Sequence, residues 1–379
     1  MVLMRTIKVL LLFILTIFLG GCWDRVEVND IAIVTAIAID LAEDERLRLS
    51  LQVAIPSKLG PTQSGGESGS STFIISETGA NVSEAYNNLQ EKIGRQVFFS
   101  QSRVLLIGED LARKGVKNII DFHTRYHEPR INSFIMMTKG DALKVLKARP
   151  VLESIASEES KELAKLGKGI TIYVRDFLDM LLTEGQEPIA PHYSLAPLGD
   201  SDEDKGQKIA GSAVFKGEKL VGWLDSFETR AILWIRNTLR KGIITHPISK
   251  EDGNISGEII RAESKIVPRK EHGELKIDVN IITELRVIEN DSHLNLNDPK
   301  VIEDLQKRME TELENRVRQV VDKVQKDYRS DIFGFGQTVY KKYPNDWNSI
   351  YKKKWDEMFS QLDVSINAEV YLRRVGLRK

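Results

Sequence analysis

Cysteine is all but absent, with one residue, Cys22, in a chain of 379. No disulfide can close within such a chain, and once Cys22 is consumed no thiol remains as a nucleophile, so stability has to come from core packing. Histidine is scarce too, at six residues. Neither sign of charge is in excess, 54 Lys and Arg standing against 55 Asp and Glu, a balance that does not suggest nucleic-acid binding. After the leader no apolar run approaches the roughly 20 residues that a membrane-spanning helix needs.

Catalytic signatures are missing as well. The G-x-S-x-G elbow does not occur. Gly334-Phe335-Gly336 lacks the third glycine and preceding strand of a dinucleotide loop, and Gly167-Lys168-Gly169 lacks the spacing and Ser/Thr of a P-loop, so both read as turns. The stretch HTRYHE places His123 and His127 four apart on one helix face beside Glu128, but the HExxH zinc proteases need a glutamate where Thr124 stands. With no third ligand evident, both read as surface or capping histidines. No metal or cofactor is expected, and dispersed acids read as a solvated face, not a carboxylate pair.

What is present begins at the N-terminus. Arg5 and Lys8 precede Val9 to Leu19 (VLLLFILTIFL), a run too short to span a bilayer and shaped like the apolar core of a signal peptide. A cut before Cys22 puts Leu19 third from the break, where ordinary signal peptidase wants a small residue. Leu19, Gly20, Gly21 and Cys22 instead resemble a bacterial lipobox, in which diacylglycerol is joined to the cysteine sulfur and the cysteine becomes the mature N-terminus. The plainer reading is an inert cysteine in an uncleaved anchor. Two acyl chains, at about 0.8 kcal/mol per buried methylene, hold a protein on a membrane far better than one. Trp23 would then sit at the headgroup layer, and the acidic segment from Asp24 to Asp30 should stay solvated unless a partner covers it.

With the leader gone, 52 basic and 55 acidic residues remain, and 41% hydrophobic with 29% charged residues is an ordinary globular composition, long enough for more than one domain. Ile31 to Asp40 and Leu47 to Ile55 read as a hairpin, Leu59 to Ser71 as a Gly/Ser-rich loop, and Thr72 to Ser76 as a strand. A helix through Val82, Ala85, Leu89 and Ile93, a strand at Arg103 to Ile107, a helix near Gly115 to Tyr126, a strand at Ile131 to Thr138 and helices within Ala142 to Leu182 make this half mixed α/β. The expected organisation is a leader over 1–21, an N-terminal domain over 22–198 made of one or two subdomains, a polar linker over 199–208 and a C-terminal α+β domain over 209–379. There a hairpin (Ile209 to Phe215, Lys219 to Leu224) leads through an Asp225/Glu228 capping box into a helix with Trp234. Strands follow at Gly257 to Val267 and Leu275 to Ile288. Val301, Leu305, Met309, Leu313, Val317, Val320, Val324 and Tyr328 mark one face of a long helix, a coiled-coil seam or, more commonly, a sheet-packing stripe, with Glu314/Arg318 and Asp322/Lys326 as i,i+4 pairs. Val364 to Leu372 alternate as a closing strand. Trp223, Trp234, Trp347 and Trp355 read as core aromatics first and as a partner surface second.

Several stretches carry a resemblance. GCWDRVEVNDIAIVTAIAID after the leader, RQVFFSQSRVLLIGEDLARKG (Arg95 to Gly115), AVFKGEKLVGWLDSFETRAILWI (Ala213 to Ile235), DIFGFGQTVYKKYPNDW and the closing VYLRRVG resemble the Ger(x)C family, the lipoprotein C subunits of nutrient germinant receptors in spore-forming Firmicutes. The likeness runs in order over nearly the whole chain. It implies several mixed α/β domains and a non-enzymatic subunit on the outer surface of the spore inner membrane, lipidated at Cys22 and working with integral A and B subunits to trigger germination. A solute-binding lipoprotein feeding a transporter is the alternative, and the sequence leaves open whether the chain touches a nutrient.

Overall fold

The computed structural model describes residues 4–7, 27–58, 70–126, 128–199, 205–249 and 252–374. Strand β1 (Ile31–Leu41) forms because IAIVTAIAIDL is rich in β-branched residues and nearly all apolar, the composition of a strand buried on both faces. Ile37 and Ile39 enter the main core while Ala36 and Ala38 point into a second, smaller cluster on the opposite face. Their small size there lets helix α4 (Ala142–Leu146) lie close against the strand. β1 pairs antiparallel with β2 (Leu47–Ala54), which pairs with β3 (Thr72–Gly79). On the other side β1 runs parallel to β4 (Gln96–Phe98) at its start and to β5 (Val104–Gly108) further along. Parallel β6 (Phe134–Thr138) and β7 (Ile189–Pro197) follow, then antiparallel β8 (Lys205–Lys216) and β9 (Lys219–Asp225). The sheet order is β3-β2-β1-β5-β6-β7-β8-β9, with β4 beside β1.

Helices cover this sheet: α1 (Val82–Gln90), α2 (Glu109–Lys114) and α3 (Lys117–Arg125) on the main-core face, and α4 with α5 (Ala156–Lys165) on the other. α6 (Val174–Leu182) returns to the main core through Val174, Phe177 and Met180. β8 starts inside the stretch expected as a linker. Its ladder with β7 runs from Pro197↔Lys205 to Ile189↔Val214, and buried Gln207 bonds to Ser160 and to the Ala156 carbonyl, so polar Lys205 to Lys208 is strand and 209–225 belongs to the first sheet.

The capping box then forms as expected: Asp225 accepts from the Glu228 amide, Glu228 from the Asp225 amide, and α7 (Ser226–Ile235) begins. Trp234 on α7 is buried and donates through Nε1 to Thr283 Oγ1 at 3.1 Å, which ties α7 to the second sheet. That sheet runs β10 (Ile243–Pro247), β11 (Asn254–Glu271), β12 (Glu274–Asn290) and β13 (Asp363–Arg374), with β12 and β13 parallel. β12 alternates: Leu275, Ile277, Val279, Ile281, Leu285 and Val287 face the core, and its other face carries charges such as Asp278 and Arg286, paired with Arg269 and Glu258.

The long helix α8 (Pro299–Lys323) is opened by Asp298, which caps the Lys300 amide, and by Pro299 in its first turn. It packs across the sheet and is not a coiled-coil seam. The Asp322/Lys326 pair forms at 3.5 Å, but Glu314 and Arg318 turn instead to the edge strand β13. Gln306, Glu310 and Glu314 accept from the amides of Leu372, Val370 and Ala368 at 2.9 to 3.0 Å, and Arg318 reaches the Val364 carbonyl. The match is geometric: four helical residues advance about 6 Å and two strand residues about 6.6 Å. An edge that would otherwise offer free amides to another strand is thereby closed.

Candidate functional site

Two places concentrate polar groups, one open and one buried. The first lies at the amino end of the first sheet. Cys22, Leu19, Gly20, Gly21 and Trp23 are outside the described residues, but the chain that leads from them enters the body here, through an exposed turn at Val28–Asp30 into Ile31. The parallel strands β1, β5 and β6 all begin at this end. Arg103 extends the ladder one residue below β5, its amide donating to the Thr35 carbonyl and its carbonyl accepting from Phe134, both at 2.9 Å.

Below β5 and β6 this leaves an open cleft of about 900 Å³, bordered by Arg103, Arg130, Lys161, Lys165 and Arg175. The loop on its rim is held by Glu128, which accepts from Tyr126 Oη at 3.3 Å and the Phe99 amide at 3.5 Å. Arg175 donates to Asn132 Oδ1 at 2.8 Å and lies over the Tyr173 ring, itself stacked on Phe134. Lys161 pairs with Glu158 and Glu162, and Lys165 with Glu162. The side chains of exposed Arg103 and Arg130 have no hydrogen bond or ion pair among the described residues. His123 forms the inner wall. It is not a surface residue: α3 turns Ile119, Ile120 and His123 inward together, and Nδ1–H donates to the Ile119 carbonyl at 3.2 Å. Burial pushes its pKa down to about 4, so the ring is neutral. His127 lies outside the described residues.

The second place is the junction between the sheets. Asp331 is buried, and its carboxylate accepts from the amides of Gly334 (2.9 Å), Phe335 (3.1 Å) and Gly336 (2.8 Å) and from Trp355 Nε1 (3.1 Å). The Gly-Phe-Gly stretch is thus a cradle of backbone donors opening α9 (Phe335–Lys342), made possible by the left-handed conformation of Gly334. Burial raises the Asp331 pKa to about 6 against the pull of those donors. The Glu187 amide donates to the Asp331 carbonyl, and Gly185 sits so tightly that a Cβ there would lie 2.6 Å from Trp347.

Trp347 and Trp355 meet at 5.2 Å between ring centroids, both buried. The helical run between them passes through π geometry (Trp347–Tyr351) and a 3-10 turn (Lys352–Lys354) before α10 (Trp355–Gln361). Trp234 is core as well, whereas Trp223 is half-buried, donating to Glu109 Oε1 and lying 4.5 Å from the His192 ring. Neither the Asp331 cradle nor the arginine-lined cleft was singled out by the sequence reading. The available signal for the cradle was an acid three residues before Gly-Phe-Gly.

Comparison with known proteins places this two-sheet α+β body in a family of spore germination proteins. The model "Spore germination protein N-terminal domain" matches residues 24–195 and "Spore germination B3/GerAC like, C-terminal" matches residues 210–376. The chain belongs to this GerAC-like family, the germinant receptor C subunits, which is not a known enzyme family. It is similar to spore germination protein KC of Bacillus subtilis (strain 168), with 29% identity over 99% of this chain and 97% of that one. Spore germination protein B3 of the same strain is 26% identical over 94% of each. A crystal structure of the GerBC protein shares the fold, with a TM-score of 0.55 and 22% identity over 89% of this chain and 96% of that one. No helix among the described residues is long and apolar enough to cross a membrane.

Proposed function

We propose that this chain is the lipid-anchored C subunit of a nutrient germinant receptor. Diacylglycerol on Cys22 would hold it to the outer face of the spore inner membrane, where it assembles with integral membrane A and B subunits. The observation that carries the reading is the conjunction of two family models over residues 24–376 with a single cysteine directly after the leader's apolar run. Its role is assembly, not catalysis: tethering confines the body to a thin layer and raises its effective concentration beside membrane partners.

Mass spectrometry of the mature N-terminus tests the anchor, and Cys22→Ala should release the protein from spore membranes. Crosslinking in those membranes should join it to the A and B subunits. Calorimetry with amino acids, sugars and nucleosides should be silent, and saturable heat would favour a solute-binding lipoprotein. An intact leader, or a Cys22→Ala protein that stays on the membrane, would refute lipid anchoring.

A further inference from the structure

We propose that the amino end of the first sheet faces the lipid headgroups and that Arg103 and Arg130 there hold the phosphate of an anionic phospholipid. The proposal rests on the lipid-anchored reading and adds an orientation and a contact to it. The first argument is reach. Five residue steps separate Cys22 from Glu27, the first described residue of the body, and a fully extended chain covers about 17 Å in that distance. With its acyl chains buried, the protein cannot lift this end further than that above the bilayer surface.

The second argument is what stands there. Arg95 precedes the β4 residue paired with Ile31, Lys58 follows β2 where it ends beside the start of β1, and Arg103 and Arg130 border the cleft. None of the four has a side-chain ion pair among the described residues, whereas the cleft's Lys161, Lys165 and Arg175 are committed to Glu158, Glu162 and Asp176. Glu128, the carboxylate on the cleft rim, is engaged by Tyr126 and the Phe99 amide. Two free guanidinium groups on one open cleft suit a phosphate, which accepts both forks of an arginine. Exposed Ile131 lies on the rim.

The third argument is polarity along β1. At the anchored end Arg95, Lys58, Arg103 and Arg130 outnumber the exposed Glu27 and Asp30, whereas the far end turns through Glu43, Asp44 and Glu45, with Lys114 paired to Glu45 and Arg46 to Glu84. Attraction to anionic lipid acts within about a Debye length, roughly 8 Å at physiological salt, so cations at the anchored end are the ones that can feel it.

The test uses the full lipidated protein in phosphatidylcholine vesicles with and without phosphatidylglycerol, carrying headgroup-nitroxide lipids. Because the Cys22 sulfur is alkylated, a fluorophore can be placed on a single introduced thiol at Ile131→Cys or Glu43→Cys. The label at 131 should be quenched, more so with phosphatidylglycerol, and that at 43 should not. Arg103→Ala and Arg130→Ala should each lower the docked fraction roughly fivefold in those vesicles. Sodium chloride should weaken docking, and inorganic phosphate at matched ionic strength should do no more. Stronger quenching at 43, or quenching at 131 indifferent to both arginines, would overturn the proposal. So would docking abolished by inorganic phosphate at matched ionic strength, which assigns the cleft to free phosphate, or docking seen only with co-reconstituted A and B subunits, which assigns it to protein. Mass spectrometry of the same sample separates the two readings: lipidated protein with an unquenched 131 label refutes the orientation alone, whereas unmodified Cys22 refutes both.

Discussion

His123 under the first sheet and Asp331 between the sheets are both buried ionisable groups, yet their environments push them in opposite directions. His123 is buried with one hydrogen bond, to the Ile119 carbonyl, and no carboxylate partner among the described residues, so the neutral ring is the form the fold accepts and its pKa falls to about 4. Asp331 has four donors aimed at its carboxylate, and still burial outweighs them and lifts its pKa to about 6. A buried group can thus be fully hydrogen-bonded and remain costly to ionise, because donors offset desolvation only in part. At neutral pH Asp331 is ionised and its four donors depend on it, which makes the junction the more fragile of the two regions.

The sharpest way to break the comparison is Asp331→Ala. It leaves three buried amides and an indole N–H without an acceptor, and a loss of about 4 kcal/mol is expected in denaturant unfolding at neutral pH. His123→Leu, which removes a single hydrogen bond and keeps an apolar side chain, should cost less at the same pH. If the two losses are equal, the cradle is not the lock it resembles.

The pH dependence sharpens the comparison. His123 has a folded pKa below its unfolded value of 6.5, so its contribution is whole above that value and is lost as pH falls toward about 4. Asp331 has a folded pKa above its unfolded 3.8, so its contribution is whole below that value and is lost as pH rises through about 6. Each is worth about 3 kcal/mol across its window. Relative to wild type, His123→Leu should therefore gain about 3 kcal/mol between pH 7 and pH 4, and Asp331→Asn should lose a similar amount. Unfolding curves over that range check both signs, and parallel profiles for the two variants would contradict the assignment.

The elements were legible where one physical pattern ruled. Near-continuous Ile, Val and Ala announced β1, a long strand pattern announced β12, clean alternation announced β13, and the Asp225/Glu228 spacing announced the start of α7. β7 went unread because IAPHYSLAP mixes two prolines with polar residues, and its identity comes from its neighbours β6 and β8. β8 was placed late because Lys205 to Lys208 are polar but ladder-bonded. Glu314 and Arg318 have helix-pair spacing, and nothing local says that an edge strand will compete for them. The cleft was unreadable for a like reason: Arg103 and Arg130 are 27 positions apart and border one cleft only because β5 and β6 are parallel neighbours.

A smaller effect is expected at the β13 edge. Glu310→Ala and Glu314→Ala each remove the acceptor of one half-buried strand amide, at about 1 kcal/mol apiece. The two sites serve neighbouring positions of one strand, so the double variant should depart from additivity, and faster hydrogen exchange at Val370 and Ala368 would show the edge opening.

The smallest expected effect falls at the cleft. Arg103 and Arg130 are exposed and form no internal side-chain bond among the described residues, so Arg103→Ala with Arg130→Ala should change unfolding stability by no more than about 0.5 kcal/mol. Cations that contribute to folding give a different result on truncation, because their removal strands a partner. Lys323 with Glu228 is such a case, joining α8 to α7 at 2.6 Å. A double arginine variant as stable as wild type would mean that the fold does not account for these side chains. A loss above about 1.5 kcal/mol would instead make them part of the fold, and the contrast between a spent junction and an unspent cleft would fail.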